Sequence, residues 1–345
     1  MWRRRKVFGG ERMPTFTVIG SGGWGTAVAM VLAQKPGNTV RLWCRREAEA
    51  QELSATRQNT RLLPGVRIPD GVFITASIAE ATANSDCWLV AVPTAFIRAA
   101  LRPFAPFATP NTAVVSLSKG IEVDTFRRPT EILAEVLGVS RLAALSGPSH
   151  AEEVARGMPT SVVAASPEPT FAGWVQERIG GERLRVYTNA DLIGVEIAGA
   201  VKNVLGIAAG VCDGLGFGDN AKAALLTRGL VEMQRFGVTH GANPETFYGL
   251  AGMGDLITTC FSSHGRNRRV GERLAKGATL ADVTAGPQIA EGVFTAKSVY
   301  ERVTRAGLYA PIFTGVYRVL YEGRSPKEAV HELLDRPQKC ETKHG

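Results

Sequence analysis

The chain has 345 residues, 45% hydrophobic and 21% charged, a globular composition with room for about two domains of ~100–200 residues each. No apolar run reaches the ~18 residues of a membrane span, and five scattered cysteines without a CxxC pair exclude a disulfide framework and structural zinc and suit a reducing cytoplasm. The net charge of +8 is no nucleic-acid footprint, because Arg3, Arg4, Arg5, Lys6 and Arg12 against Glu11 alone place +4 of it (five minus one) in a basic extension, residues 1–13, that lacks the apolar stretch of a secretory signal.

From residue 14 to about 190, short β-rich runs alternate with helix-like segments: "TFTVI", "TVRLW", "CWLVAV", "TAVVSLS", "RLAALS", "SVVAAS" and "RLRVY". Their nearly continuous apolar character predicts strands buried on both faces of a parallel sheet, so this part is expected to be a doubly wound α/β domain. Directly after the first run, "TVIGSGGWGTAVAMVLA" sets Gly20, Gly22 and Gly25 in a complete GxGxxG that opens an apolar helix. The first glycine permits a tight turn, the second lets a pyrophosphate approach the backbone, and the third lets the helix pack on the sheet, which predicts a bound dinucleotide. At the end of the second run, "LWCRREAEA" offers Arg45 and Arg46 where an NAD site usually presents a carboxylate. Guanidinium groups pair with a 2′-phosphate, so NADPH is the preferred cofactor, with Glu47 leaving NADH use open.

Further on, "VVSLSKGIE" puts Lys119 just after a strand, at the carboxyl edge of the sheet where such folds bind ligands. The stretch "SRLAALSGPSHAEEVARGMPTSVVAAS" holds Gly147, Pro148, Ser149 and His150 in one polar turn, a rigid turn with N–H groups suited to an oxygen-rich ligand. His150 has no partner nearby in sequence and reads as a structural residue at a helix start.

After Asn189 the strand signal ends, and an all-α domain is expected over 191–338, with 339–345 as a tail. Asp191 is a candidate N-cap for a long helix that the Gly-rich "DGLGFGD" terminates. Within that helix Lys202 stands among small and apolar residues in "VEIAGAVKNVLGIAAG". A buried lysine usually answers the desolvation cost with a lowered pKa, which makes it usable as a general acid or base. Glu196, six positions back, does not share its face. In "GLAGMGDLITTC", Asp255 can orient substrate hydroxyls or close an Asx-turn or cap. In "GRNRRVGERLAKG", Arg266 and Asn267 suit phosphate oxygens, while Arg268 and Arg269 read as surface or packing residues. Met253 reads as core, and His240, His264 and His331 have no metal spacing, so no metal is expected. Lys119 and Lys202 aimed at one pocket would attract an anion and depress each other's pKa.

The ordered set "IGSGGWGTA", "LWCRR", "NTRLLPGV", "SLSKGIE", "SGPSHAEEVA", "YTNADLIGVEIAGAVKNVLGIAAG", "GFGDNAKAALLTRGLVEM", "GLAGMGDLITTC", "RNRRVGERL", "AEGVFTA" and "YRVLYEG" resembles the NAD(P)-dependent sn-glycerol-3-phosphate dehydrogenases of the bacterial type, over about residues 14–335. The resemblance implies a Rossmann-like N-terminal domain, an all-α C-terminal domain, a cytoplasmic homodimer, and reduction of dihydroxyacetone phosphate to sn-glycerol 3-phosphate for glycerophospholipid synthesis. By motif position it implies Lys202 as proton donor and Lys119, Gly147, Ser149, Asp255, Gly265, Arg266 and Asn267 around the substrate. Gly23, Trp24, Arg45, Arg46, Ala151, Ile289 and Glu291 would join the three motif glycines around the nucleotide, with Lys119 and Arg266 touching both ligands. The chain departs from the family pattern at Gly23 and Gly265, where serine is usual. Neither nucleic acid nor a membrane span is implied. The competing readings are an NADPH-binding sensor without turnover and a lysine-dependent hydroxyacid or ketopantoate-type reductase, which would need a carboxylate pocket.

Overall fold

The computed structural model describes residues 13–262, 265–285, 290–337 and 340. Eight strands, β1 (Thr15–Ile19), β2 (Thr39–Trp43), β3 (Val72–Thr75), β4 (Cys87–Val90), β5 (Ala113–Ser116), β6 (Leu142–Ser146), β7 (Thr160–Ala165) and β8 (Leu184–Asn189), form one sheet in the order β3-β2-β1-β4-β5-β6-β7-β8. Helices α1 (Gly23–Ala33), α2 (Glu47–Thr56), α3 (Ile78–Thr82), α4 (Ile97–Leu101), α5 (Pro129–Leu137), α6 (Ala151–Ala155) and α7 (Pro169–Ile179) lie between the strands.

The apolar runs become two-faced strands because alternate residues enter different layers. In β4, Cys87 and Leu89 join a core with Ala27 and Val28 of α1, while Trp88 and Val90 join another with Ile97, Leu101, Ile132 and Leu133. This is the doubly wound arrangement expected from the sequence. Two features differ from that expectation. The edge strand β3 has no counterpart among the predicted runs: it is four residues long and Phe73 is exposed. The sheet is parallel from β3 to β6, but β7 pairs antiparallel to β6. Residues 147–159 therefore leave and re-enter the sheet at the same edge, with only the single turn of α6 between, and no crossover of a sheet face is needed. The polar turn is thereby kept at the carboxyl edge, beside the ends of β4 and β5.

The C-terminal region is helical: α8 (Leu192–Gly214), α9 (Asp219–Thr239), α10 (Asp255–Phe261), α11 (Arg266–Ala275), α12 (Leu280–Thr284), α13 (Glu291–Arg305), α14 (Pro311–Tyr321) and α15 (Pro326–Leu334). Asp191 caps α8 through Gly194 N at 2.8 Å and also accepts bonds from Asn243 N and Thr246 Oγ1, so the start of the helix is fixed from three sides. Helix α8 is long and apolar enough to cross a membrane by length and composition, yet 89% of its most apolar window is buried inside the molecule. It is the core around which α9, α10, α11, α13 and α14 pack. A Cβ at Gly210 would fall 1.9 Å from Arg268 O, and one at Gly271 would fall 2.0 Å from Ile207 O. Only glycine at these crossing points lets α11 lie against α8, which brings Asn267 beside Asn203. Met253, expected in the core, is instead exposed, because the π-turn preceding α10 (250–254) buries Ala251 and Gly252 and leaves Met253 on its outer side.

Candidate active site

The glycine turn connects β1 to α1. Gly20 has φ +114°, and a Cβ at Gly25 would lie 2.0 Å from Gly20 O, so the turn requires glycine at both places. At Gly22, where a Cβ would meet nothing within 4 Å, the backbone faces open space. Gly22 also gives α1 no side-chain cap, which leaves the first N–H groups of the helix available to an anionic ligand. The Trp24 indole N–H is buried without a hydrogen-bond partner among the described residues. These features fit a dinucleotide phosphate. A Cβ at Gly23 would approach Leu62 O to 3.2 Å, and one at Gly265 would approach Thr259 O to 2.9 Å, so both departures from the usual serine sit at locally crowded backbone.

Arg45 and Arg46 follow β2 and are exposed, with Arg46 contacting Glu49 at 3.4 Å. Glu47 turns away to Gln51, and the carboxylate that reaches the glycine turn is Glu49, through Ser21 Oγ at 2.6 Å. Neither arginine lines the central cavity.

That cavity, about 400 Å³, extends from the glycine turn into the helical region. Gly22, Gly23, Trp24 and Gly25 wall one end, and Lys119, Ser149, Ala151, Lys202, Asp255, Gly265, Arg266, Asn267 and Glu291 wall the rest. Gly20 and Gly147 stand behind this lining. Gly147, at φ +119°, presents its carbonyl to Lys119. Ile289 lies outside the described residues.

The end away from the glycine turn is an ionic cluster drawn from both regions, with Lys202 and Asp255 buried and Lys119 half-buried. Asp255 Oδ2 accepts from Lys119 Nζ at 2.8 Å, and Asp255 Oδ1 accepts from Lys202 Nζ at 2.9 Å. Lys202 also donates to Thr259 Oγ1 at 2.6 Å, while Lys119 donates to Gly147 O at 2.8 Å and Ser149 Oγ at 3.0 Å. Two ammonium groups on one carboxylate leave the cluster with a net positive charge. Burial would lift the Asp255 carboxyl, but the two lysines outweigh it and hold the group below the usual carboxylate range. Burial pulls Lys119 below the usual lysine range, with Lys202 adding to the shift and Asp255 opposing it.

An amide chain braces this cluster. Asn203 Nδ2 donates to Lys119 O at 3.1 Å, Asn267 Nδ2 to Asn203 Oδ1 at 2.8 Å, and Gly292 N to Asn267 Oδ1 at 3.0 Å. Glu291 is tied to the sheet side through Thr94 N at 2.9 Å, and burial raises its carboxyl. Four participants were not given these places by the sequence reading. Thr259 is one turn beyond Asp255, on the same face of α10, so its i+4 spacing was an available signal. Asn203 had none beyond adjacency to Lys202. Arg269, read as surface or packing, lines the cavity. His150, read as structural, also lines it; burial and then Lys202 press its imidazole below the usual range. Among the described residues no three His, Cys, Asp or Glu side chains gather as metal ligands.

Two family models match the chain, the N-terminus of NAD-dependent glycerol-3-phosphate dehydrogenase over residues 15–172 and its C-terminus over residues 191–331. Glycerol-3-phosphate dehydrogenase [NAD(P)+] 2 of Salinibacter ruber is 46% identical over 95% of this chain and 96% of its own length. The Chlorobium limicola glycerol-3-phosphate dehydrogenase [NAD(P)+] is 47% identical over 94% and 98% respectively. Among solved structures, glycerol-3-phosphate dehydrogenase from Coxiella burnetii superposes with a TM-score of 0.89 at 38% identity, covering 94% of this chain and 100% of that one.

Proposed function

The chain belongs to the NAD-dependent glycerol-3-phosphate dehydrogenase family, and from that premise we propose that Lys202 donates the proton when dihydroxyacetone phosphate is reduced to sn-glycerol 3-phosphate with NAD(P)H, and accepts it in the reverse direction. One observation carries the assignment. An ammonium has three N–H donors. All three of Lys119 are taken by Gly147, Ser149 and Asp255, whereas Lys202 gives two to Asp255 and Thr259 and, among the described residues, keeps one in the wall of the cavity.

The nucleotide would be held by Gly22, Gly23, Trp24 and the start of α1, with Arg45 and Arg46 toward the ribose and Ala151 and Glu291 farther along the cavity. When bound it supplies the hydride. Lys202 Nζ delivers its proton to the ketone oxygen as negative charge develops there. Asp255 holds both ammonium groups at fixed positions through the reaction. Lys119 acts as a fixed positive charge beside Ser149, and Arg266 and Asn267, at the start of α11, close the phosphate end with Gly265. The division of the chain into a nucleotide domain (14–190) and a substrate domain (191–338) is supported by the spans of the two family models. The family resemblance extends the proposal to a cytoplasmic homodimer serving glycerophospholipid synthesis.

The test follows nicotinamide absorbance with dihydroxyacetone phosphate, using NADPH and NADH in parallel. The wild type is expected to turn over. Lys202→Ala is expected to lose at least about 10³-fold in kcat while retaining NADPH affinity. An unchanged kcat in the variant would remove Lys202 from the proposed role.

A further inference from the structure

Lys119 stands at the head of a segment that leaves β5 and does not reach α5 until Pro129. This strap belongs to the sheet region in sequence and is tied to it through Glu122 to Arg98 at 2.7 Å and Arg127 to Glu135 at 2.8 Å, yet it is also fastened to the helical region at three places. Ile121 is buried in the helical core. The Phe126 ring packs 5.8 Å from Phe236 and 4.8 Å from His240, with the Arg302 guanidinium 4.6 Å from its centroid. At the far end, Glu196 of α8 takes Arg128 Nη1 at 2.6 Å, Thr130 N at 2.8 Å and Thr130 Oγ1 at 2.6 Å.

The strap is also strained. Asp124 and Phe126 have φ of +70° and +61°, a conformation that at a bulky residue persists only where surrounding contacts impose it. A buried ion pair such as Glu196–Arg128 is weak evidence for stability, because desolvation offsets most of the attraction. Its effect is to fix a register. Glu196 and Lys202 are six residues apart on one helix, about 9 Å along its axis. The bond that locks the end of the strap is therefore referenced to the same rigid element as the proton donor.

We propose that Glu196 is a positioning residue: by anchoring Arg128 and Thr130, with Phe126 as the second anchor, it holds the strap so that Lys119 meets Asp255 and the substrate. This rests on the function proposed above. Lys202, Asp255 and Thr259 all belong to the helical region and keep their geometry without the strap. Loosening the strap thus displaces Lys119 alone, and the damage falls on substrate binding rather than on proton transfer.

The experiment is a double-mutant cycle on the full chain with Glu196→Gln, Lys119→Ala and the pair, measuring kcat, KM for dihydroxyacetone phosphate, NADPH affinity, and amide hydrogen exchange over residues 119–130. Glu196→Gln is expected to raise KM about tenfold and change kcat less than about threefold, with NADPH affinity unchanged and exchange in the strap faster; in the Lys119→Ala background the same substitution should change KM less than about twofold. Equal KM effects in both backgrounds, or an unchanged KM with only a lowered melting temperature, would overturn the proposal. Should Glu196→Gln fail to fold, Thr130→Val, which removes one anchor and leaves the ion pair, is read in the same cycle, with a smaller rise in KM expected and an additive one refuting the idea. A wild type inactive on this substrate would defeat the functional reading, and the exchange measurement would still decide whether Glu196 holds the strap.

Discussion

The two ends of the central cavity are built by opposite means. The proposed nucleotide end centres on six consecutive residues, Gly20 to Gly25, four of them glycine, whose chemistry is mainly backbone N–H groups with the Trp24 indole N–H beside them. The reacting end takes Lys119, Ser149, Lys202, Asp255, Thr259 and Asn267 from five separated stretches, and its chemistry is charge removed from water. A site made of backbone is insensitive to pH and intolerant of added atoms. A site made of buried charge tolerates changes of shape better than the loss of a counterion.

The sharpest test of that contrast is Asp255→Asn. The carboxylate is the shared partner of one buried and one half-buried ammonium group, and leaving buried charge uncompensated costs about 3–5 kcal/mol, so kcat/KM should fall about 10²–10³-fold with NADPH affinity little changed. Steady-state kinetics beside a fluorescence titration with NADPH would show both. A parallel collapse of nucleotide binding would mean the two ends are not separable.

Gly25→Ala probes the other end. Its Cβ would lie 2.0 Å from the Gly20 carbonyl, so the turn must open, and NADPH affinity should drop about tenfold or more by the same titration. KM for the substrate at saturating cofactor should move much less. Unchanged NADPH affinity would show that the turn does not grip the phosphates.

The smallest effect is the one that reads charge directly. In its proposed role Lys119 holds an anionic substrate only while protonated, and burial sets its pKa below the ordinary 10.5, so KM should rise with pH above that lowered value, about tenfold per unit, and be flat below it. The NADPH dissociation constant should not follow this limb. Lys119→Arg, which does not deprotonate, should flatten the rise in a pH series of initial rates, whereas an identical limb in the variant would assign the titration to another group.

The two ends also differ in how far they could be read before the structure. GxGxxG between a strand and a helix is contiguous, and each glycine answers a local steric demand, so sequence alone located the glycine turn. Lys202 was legible for a related reason, since a lysine amid small apolar residues in a long helix is anomalous by composition. Its counterion was not. Asp255 is 53 residues away, and local pattern left a substrate contact, an Asx-turn and a cap all open. Glu196 was set aside because it does not share the face of Lys202, and its partners Arg128 and Thr130 lie across the boundary between the two regions.

By itself the sequence determined the doubly wound architecture, the helical second half, the glycine turn and the anomalous lysine. Each follows from short-range rules: periodicity of burial, turn sterics, and the cost of an ion in an apolar segment. Only the tertiary structure decided the reversal of β7, the pairing of two lysines on one carboxylate, and the strap that brings Lys119 to them. These depend on which elements pass one another in space, and that is settled by close approaches such as Gly210 against Arg268, where the absence of a Cβ matters only once two distant helices meet.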